Sequence, residues 1–378
     1  MDLSPRPPLL RGKGGELSTD LLKRGLGRVL CLRPFFCLLI LVFGFGSEIG
    51  YLYQLLRGQV ALLWKAEPID KVLKEGTLSP DQRAKLELVQ AIRAFAQSEI
   101  GLSTSKNYTT YVDIGREPVS WNLVVCPKDR LEPLKWSYPV VGAVPYRGYF
   151  DRAKAEEARD QYVAEGYDTY LRPVGAYSTL GWFSDPVLSS MLRYSEGNLV
   201  DLIIHELTHA TVWIEGDVTF NESLASFVGE AGALMWLQRK YGADSDVVHR
   251  VLAERADGVV FRKFMRDIAS RLDSLYQSDS PQKITQRQKI FDSARVEFHA
   301  LPLKTDLYAR FPSWELNNAR MALYRVYRER TDVFARVYLM CDSDLKATVG
   351  VLRQCASAED PGLWLEEWLR KNQDKDSL

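Results

Sequence analysis

The sequence predicts an α+β fold, mostly helical, with a small β-sheet ahead of a central helix and a helical C-terminal half. Three observations carry this. Short alternating or fully apolar runs, bounded by turn residues, cluster between about residues 105 and 200. A helix-period stretch over 197–214 carries a close histidine pair. From Asp244 onward the pattern is almost wholly helical.

The amino terminus differs from the rest. Residues 1–33 carry Arg6, Arg11, Lys13, Lys23, Arg24, Arg28 and Arg33 against Asp2, Glu16 and Asp20. A charge-free run over 34–46 follows, and 49–56 extends it past Glu48. A basic stretch ahead of an apolar run is the pattern of an export signal or membrane anchor.

Helical pattern occupies 60–101. Ser79-Pro80-Asp81 is a start signal, and Gly101 is a stop behind Leu86, Val89, Phe95 and Ile100. Strands are expected over 119–126 and 138–144. Asp151 caps a helix that runs to about Glu165 and closes at Gly166. Residues 167–174 and 176–180 are extended in pattern, and Asp185-Pro186 opens a short helix. The 197–214 helix is followed by a turn at Gly216-Asp217 and a second helix from about Thr219 to Gly242. The charged stretch 262–300 fits either a projecting helical arm or a plain solvated face.

Formal net charge is zero, and no basic run is interleaved with aromatics, which excludes a nucleic-acid groove. Five cysteines show no C-x-x-C spacing. Cys341 and Cys355 are left as a candidate bridge. Nothing in the sequence sets an oligomeric state.

The chemistry lies in His205-Glu206-Leu207-Thr208-His209. On a helix, imidazoles four residues apart share one face and reach one zinc ion (Zn2+), while Glu206 can work on a zinc-activated water as general base and then acid. Glu215, Asp217, Glu222 and Glu230 are candidate third ligands. Two antiparallel helices bring the residues beside their connection face to face, which selects Glu222. Glu230 lies about 12 Å further along the axis, too far for the same ion and left as an outer-sphere candidate. Ser226, one turn after Glu222, is placed either to hydrogen-bond a ligating imidazole or simply to pack as a small residue. Asn317, Asn318, Arg320 and Tyr324 on one helix are candidates for stabilising an oxyanion, against the plainer reading of an exposed helix start. Tyr177, Ser178, Thr179, Leu180 and Gly181 fit an edge strand that pairs with an extended peptide, or an ordinary core strand.

The motif helix together with Asn221-Glu222-Ser223-Leu224-Ala225 resembles the gluzincin metallopeptidases, whose third zinc ligand is the Glu of an N-E-x-x-[AS] helix. More closely, the chain resembles the bacterial predicted zinc aminopeptidase family. The resemblance runs from about 48 to 365. It includes V-P-Y-R-G-Y-F-D at 144–151, A-Y-S-T-L-G-W-F-x-D-P at 176–186, and N-N-A at 317–319. It implies a zincin-like fold and a peptide substrate. Together with the export pattern of the amino terminus, it points to the periplasmic side of a bacterial cell envelope, with the domain either held at the membrane through 34–56 or released after signal cleavage. Family members often carry a lipoprotein Cys where this chain has Gly46, so lipid anchoring there is impossible. No G-x-M-x-N loop of the better-known aminopeptidases is present. The expected organisation is a cytoplasmic basic segment with signal or anchor over 1–50, then a zinc peptidase domain over 51–378. That domain divides into a sheet-containing part at about 105–200, active-site helices at 197–242 and a helical part at 243–378. Aminopeptidase is the expected activity; endopeptidase, or a metal-holding envelope scaffold without turnover, is the alternative.

Overall fold

The computed structural model describes residues 57, 58, 60 and 62–373, apart from 104–105, 116–117, 139–141, 176–183, 216 and 326–330. The basic segment, the apolar run over 34–56 with Gly46, and the Tyr177–Gly181 candidates lie outside the described residues. No helix among the described residues is long and apolar enough to cross a membrane.

The chain runs through β1 (Glu67–Pro68), α1 (Ile69–Glu75), α2 (Pro80–Ser98), β2 (Thr110–Val112), β3 (Ser120–Cys126), β4 (Trp136–Tyr138), β5 (Gly142–Val144) and β6 (Arg147–Tyr149). Next come α3 (Arg152–Ala164), β7 (Asp168–Val174), β8 (Val187–Leu188), α4 (Glu196–Thr211) and α5 (Val218–Tyr241). The remaining elements are helices: α6 (Asp246–Gln277), α7 (Lys283–Phe298), α8 (Asn318–Arg325), α9 (Thr331–Met340), α10 (Leu345–Ala356) and α11 (Pro361–Gln373).

Local chemistry sets several of these boundaries. Ser79 and Gln82 form a reciprocal capping box ahead of α2, with Pro80 at the first helical position. Asp151 Oδ1 accepts from Ala153 N at 2.9 Å and caps α3. Gly166, at φ +89, takes the left-handed conformation that stops it.

β3 reads as a nearly continuous apolar run because both its faces are covered. It sits centrally, antiparallel to β6 and β7. Leu123 and Val125 pack with Tyr149 and with Ala155 of α3 on one face. Val124 and Cys126 pack with Ala319 and Ala322 of α8 on the other. A second sheet places β2 between antiparallel β1 and parallel β8.

Three expected elements differ. The single strand over 138–144 is a hairpin: β4 and β5 pair with Trp136 opposite Val144 and Tyr138 opposite Gly142. A period-two pattern cannot tell one strand from the arms of a fold-back. Asp185-Pro186 opens no α-helix. Val187 and Leu188 pair with Tyr111 and Val112, and a short 3-10 turn over Ser189–Arg193 follows. The motif helix ends at Thr211 rather than at 214. Cys341 and Cys355 are free thiols, and Cys355 Sγ donates to Pro361 O at 3.2 Å.

α6 and α7 form no projecting arm. Phe261, Phe264, Met265 and Ile268 of α6 pack on Phe291, Ala294 and Phe298 of α7 in one core, joined by Phe311 and Tyr324. A buried polar network ties this half to the sheet. Arg287 Nη1 of α7 lies 2.5 Å from Asp168 Oδ2 of β7, and that oxygen also accepts from Asn318 N at 2.9 Å. A separate core joins α2 to α4 and α5 through Leu86, Ile92, Leu199, Ile203, Leu224 and Val228.

Candidate metal centre

Ser195 caps α4, its Oγ accepting from Asn198 N at 3.3 Å. The helix then buries Leu199, Val200, Leu202, Ile203, Ile204 and Leu207, so its histidines are carried into the interior. His205 is 3% and His209 is 8% exposed. Thr208 between them bonds back to Ile204 O at 2.8 Å, which satisfies its buried hydroxyl.

Glu222 meets both rings from α5. His205 Nε2 lies 3.7 Å from Glu222 Oε2, and His209 Nε2 lies 3.4 Å from Glu222 Oε1. One donor atom from each residue falls within 4.8 Å of the other two. A tetrahedral zinc holding its ligands at about 2.0–2.1 Å would set neighbouring donors about 3.4 Å apart. The donor set and its spacing therefore suit such an ion. The rings stand edge to face, centroids 4.9 Å apart at 87°. Trp213 stands edge-on to His209 at 5.6 Å and walls that side.

The α4–α5 pair is pinned at both ends and closely packed between. At the connection, Asn221 Nδ2 donates to Ile214 O at 2.7 Å, and Asn221 Oδ1 accepts from Ile214 N at 2.9 Å. Asp217 caps α5, accepting from Phe220 N at 2.9 Å. At the far end Glu196 of α4 accepts from Trp236 Nε1 at 2.7 Å, Lys240 Nζ at 2.8 Å and Tyr241 Oη at 2.7 Å. Burial pushes the Glu196 carboxyl up. The donors of Lys240, Trp236 and Tyr241 outweigh that and hold it below its ordinary value. In the middle Gly229 has no room for a side chain. A Cβ there would lie 2.5 Å from Asp201 Oδ1, 3.0 Å from Asp201 O and 3.2 Å from His205 Cβ. Gly232 is similarly close to Ile100 and Ile204.

Glu206 sits beside His205 on α4, half-buried, with its Oε2 enclosed. Ser226 lies one turn after Glu222 on α5 and is half-buried. Glu230 is exposed two turns beyond Glu222, and its main-chain carbonyl accepts from Arg255. Asn317 and Asn318 hydrogen-bond to neighbouring segments of the fold. Asn318 Nδ2 donates to Pro127 O at 2.8 Å and Arg130 O at 3.1 Å, which uses both its protons. Asn318 Oδ1 accepts from Tyr276 Oη at 2.7 Å. Asn317 Nδ2 donates to Thr169 O at 2.9 Å, and Asn317 Oδ1 accepts from Arg320 N at 3.0 Å. Arg320 lies over the rings of Trp314 and Tyr170, at 4.3 and 4.5 Å. Tyr324 is buried beside Phe261, centroids 6.2 Å apart. The expected helix start of α8 is thus a buried cap that knots β7 to the 127–130 loop, and oxyanion stabilisation has no Asn318 donor left to serve it.

Sequence reasoning missed Asp201, Trp213 and Gly229. The signal for Gly229 was present. Two glycines inside a long helix each weaken it by about 1 kcal/mol, so Gly229 and Gly232 mark a close approach of another helix.

A buried imidazole pair thus meets a facing carboxylate, with the acid Glu206 adjacent in the motif. The chain matches, over residues 50–361, the model of the family described as "Putative aminopeptidase", and it belongs to that family. The family description names peptide hydrolysis as its activity. No curated protein and no solved structure matches the chain.

Proposed function

We propose that the chain is a zinc-dependent aminopeptidase of gluzincin type with a zincin-like arrangement. His205, His209 and Glu222 hold the ion, and residues 34–56 keep the domain at a membrane of the cell envelope. The observation that supports this most is the convergence of those three side chains from two helices, at 3.4 and 3.7 Å. Two imidazole nitrogens and one carboxylate oxygen form a donor set that zinc favours, and three protein ligands leave a position for solvent.

When bound, zinc supplies Lewis acidity, polarising a carbonyl and lowering the pKa of water toward ~7. The protein does the rest. Glu206 accepts the proton of the attacking water on a carboxylate oxygen and delivers it to the leaving amine nitrogen. His205 and His209 transfer no proton; their task is to grip. Trp213, edge-on to His209, keeps that side of the site apolar, which strengthens the charge interactions there.

The test measures zinc per chain in purified protein together with hydrolysis of peptides bearing free or acetylated amino termini. The aminopeptidase reading expects about one zinc and cleavage confined to free amines. Equal cleavage of blocked peptides would make the chain an endopeptidase. Zinc without any hydrolysis would make it a metal-holding scaffold.

A further inference from the structure

The chain enters the domain on a helical stem. Residues 57, 58, 60 and 62–64 are helical, and Lys65 N donates to Leu62 O at 3.1 Å where the stem ends. One face of the stem is fixed to the domain. Leu62 is 8% exposed and belongs to the core shared by α2, α4 and α5. Gly58 lies so close to the Phe150 ring that a Cβ would not fit there. The other face is turned outward. Arg57, Val60 and Trp64, spaced three and four residues apart, share it. Arg57 is exposed, Val60 is 37% exposed and Trp64 is 88% exposed, the most exposed large hydrophobic side chain among the described residues. Lys65 beside it is exposed as well. Single exposed apolar side chains are ordinary on protein surfaces, so the weight falls on where this one stands. The apolar run over 34–46 and its extension over 49–56 end immediately before the stem. From residue 56 to Trp64 the chain spans about 12 Å as helix and at most about 28 Å fully extended. A bilayer that holds 34–56 therefore has its surface within that reach of Trp64. Tryptophan, an apolar ring with one polar N–H, suits the boundary between hydrocarbon and water.

We infer that the Arg57–Val60–Trp64 face is a membrane-contact surface whose partner is the lipid headgroup layer of the bilayer that holds 34–56. The Trp64 ring and Val60 enter the headgroup layer, and Arg57 and Lys65 meet lipid phosphates. Leu62 and Gly58 tie the same stem to the domain, so this contact sets how the domain stands on the membrane instead of leaving it on a loose tether. The inference rests on the reading of 34–56 as the segment that keeps the domain at a membrane, and it deepens that reading.

The experiment reconstitutes the full chain into vesicles of zwitterionic and anionic phospholipid, with and without bromine on the acyl chains near the headgroup. Tryptophan emission is then read from the floated vesicles. Residues 34–56 contain no tryptophan, and Trp64 is the first in the chain. Brominated lipid should quench the share of wild-type emission that comes from Trp64, one of nine tryptophans. Trp64→Phe, a change at an exposed position, should float as wild type does and lose that quenching. Equal bromine quenching in the two proteins, or none in wild type, overturns the inference alone. A full chain that does not float with the vesicles overturns the membrane-holding role of 34–56, and this inference with it.

Discussion

His209 and Glu222 face each other across the 212–217 connection, Nε2 to Oε1 at 3.4 Å, although thirteen positions separate them in the chain. A short connection between antiparallel helices makes this meeting obligatory for residues beside it. Removing the carboxylate takes away one of three ligands. Glu222→Ala should therefore lose at least about 10-fold in zinc affinity. Atomic spectrometry after dialysis against chelator checks it; metal content equal to wild type would move the third ligand elsewhere.

Glu206 lies on the same helix as both histidines but takes no place in their triangle with Glu222. Its proposed work is proton transfer alone. Glu206→Gln should retain zinc and lose about 100-fold or more in kcat, the ordinary contribution of a general base. A variant that turns over at the wild-type rate would remove Glu206 from the mechanism.

Asn221 holds the connection by two hydrogen bonds to one residue, Ile214, from a side chain 1% exposed. Asn221→Ala leaves the Ile214 amide and carbonyl without that partner, at a cost of about 1–3 kcal/mol. Because Glu222 is the next residue, zinc affinity should fall as well. Asn221→Asp keeps the acceptor but sets oxygen against the Ile214 carbonyl, so it should recover little. Urea unfolding of the zinc-free variants isolates the fold term, and an unchanged midpoint for Asn221→Ala would show the clip to be idle.

Asp257, buried in α6, accepts from Lys304 N at 2.7 Å, from Thr305 N at 2.7 Å and from Thr305 Oγ1 at 2.6 Å. Burial pushes its carboxyl up, but the Thr305 hydroxyl and the two main-chain amides overcome this and hold it below the ordinary value. A depressed folded-state pKa means that the ionised form stabilises the fold. The contribution is full above the unfolded pKa of about 4 and disappears as pH falls through the lower folded value. Asp257→Asn should be less stable at pH 7 and should lose less on going from pH 5 to pH 3. Parallel stability curves for the two proteins over that window would exclude Asp257 as a source of acid sensitivity.

How much was legible beforehand varies with the range of the interaction involved. The α2 start at Ser79, the α3 cap at Asp151 and the Gly242 stop of α5 were readable because each is settled within a few residues of itself. The hairpin of β4 and β5 and the short β8 were not. What decides them is a partner, Val144 for Trp136 and Tyr111 for Val187, and pattern carries no partner. The 317–320 asparagines show the same limit. Their polarity inside an apolar helix was visible, but only the neighbouring β7 and the 127–130 loop reveal where Asn317 and Asn318 direct their amides, and that both Asn318 protons are used.

The sequence by itself determined which atoms can grip a metal: two imidazoles at helical spacing, an acid beside the first, and a carboxylate just past a turn. Local periodicity suffices for that, since a helix places residues four apart on one face. Tertiary structure decided how closely the two helices approach, and so which groups surround the ligands. Gly229 lets α5 come against α4 beside Asp201 and His205, and Asn221 and Glu196 pin the pair at its ends. Those relations depend on distances between segments, which close packing sets and which no run of residues encodes on its own.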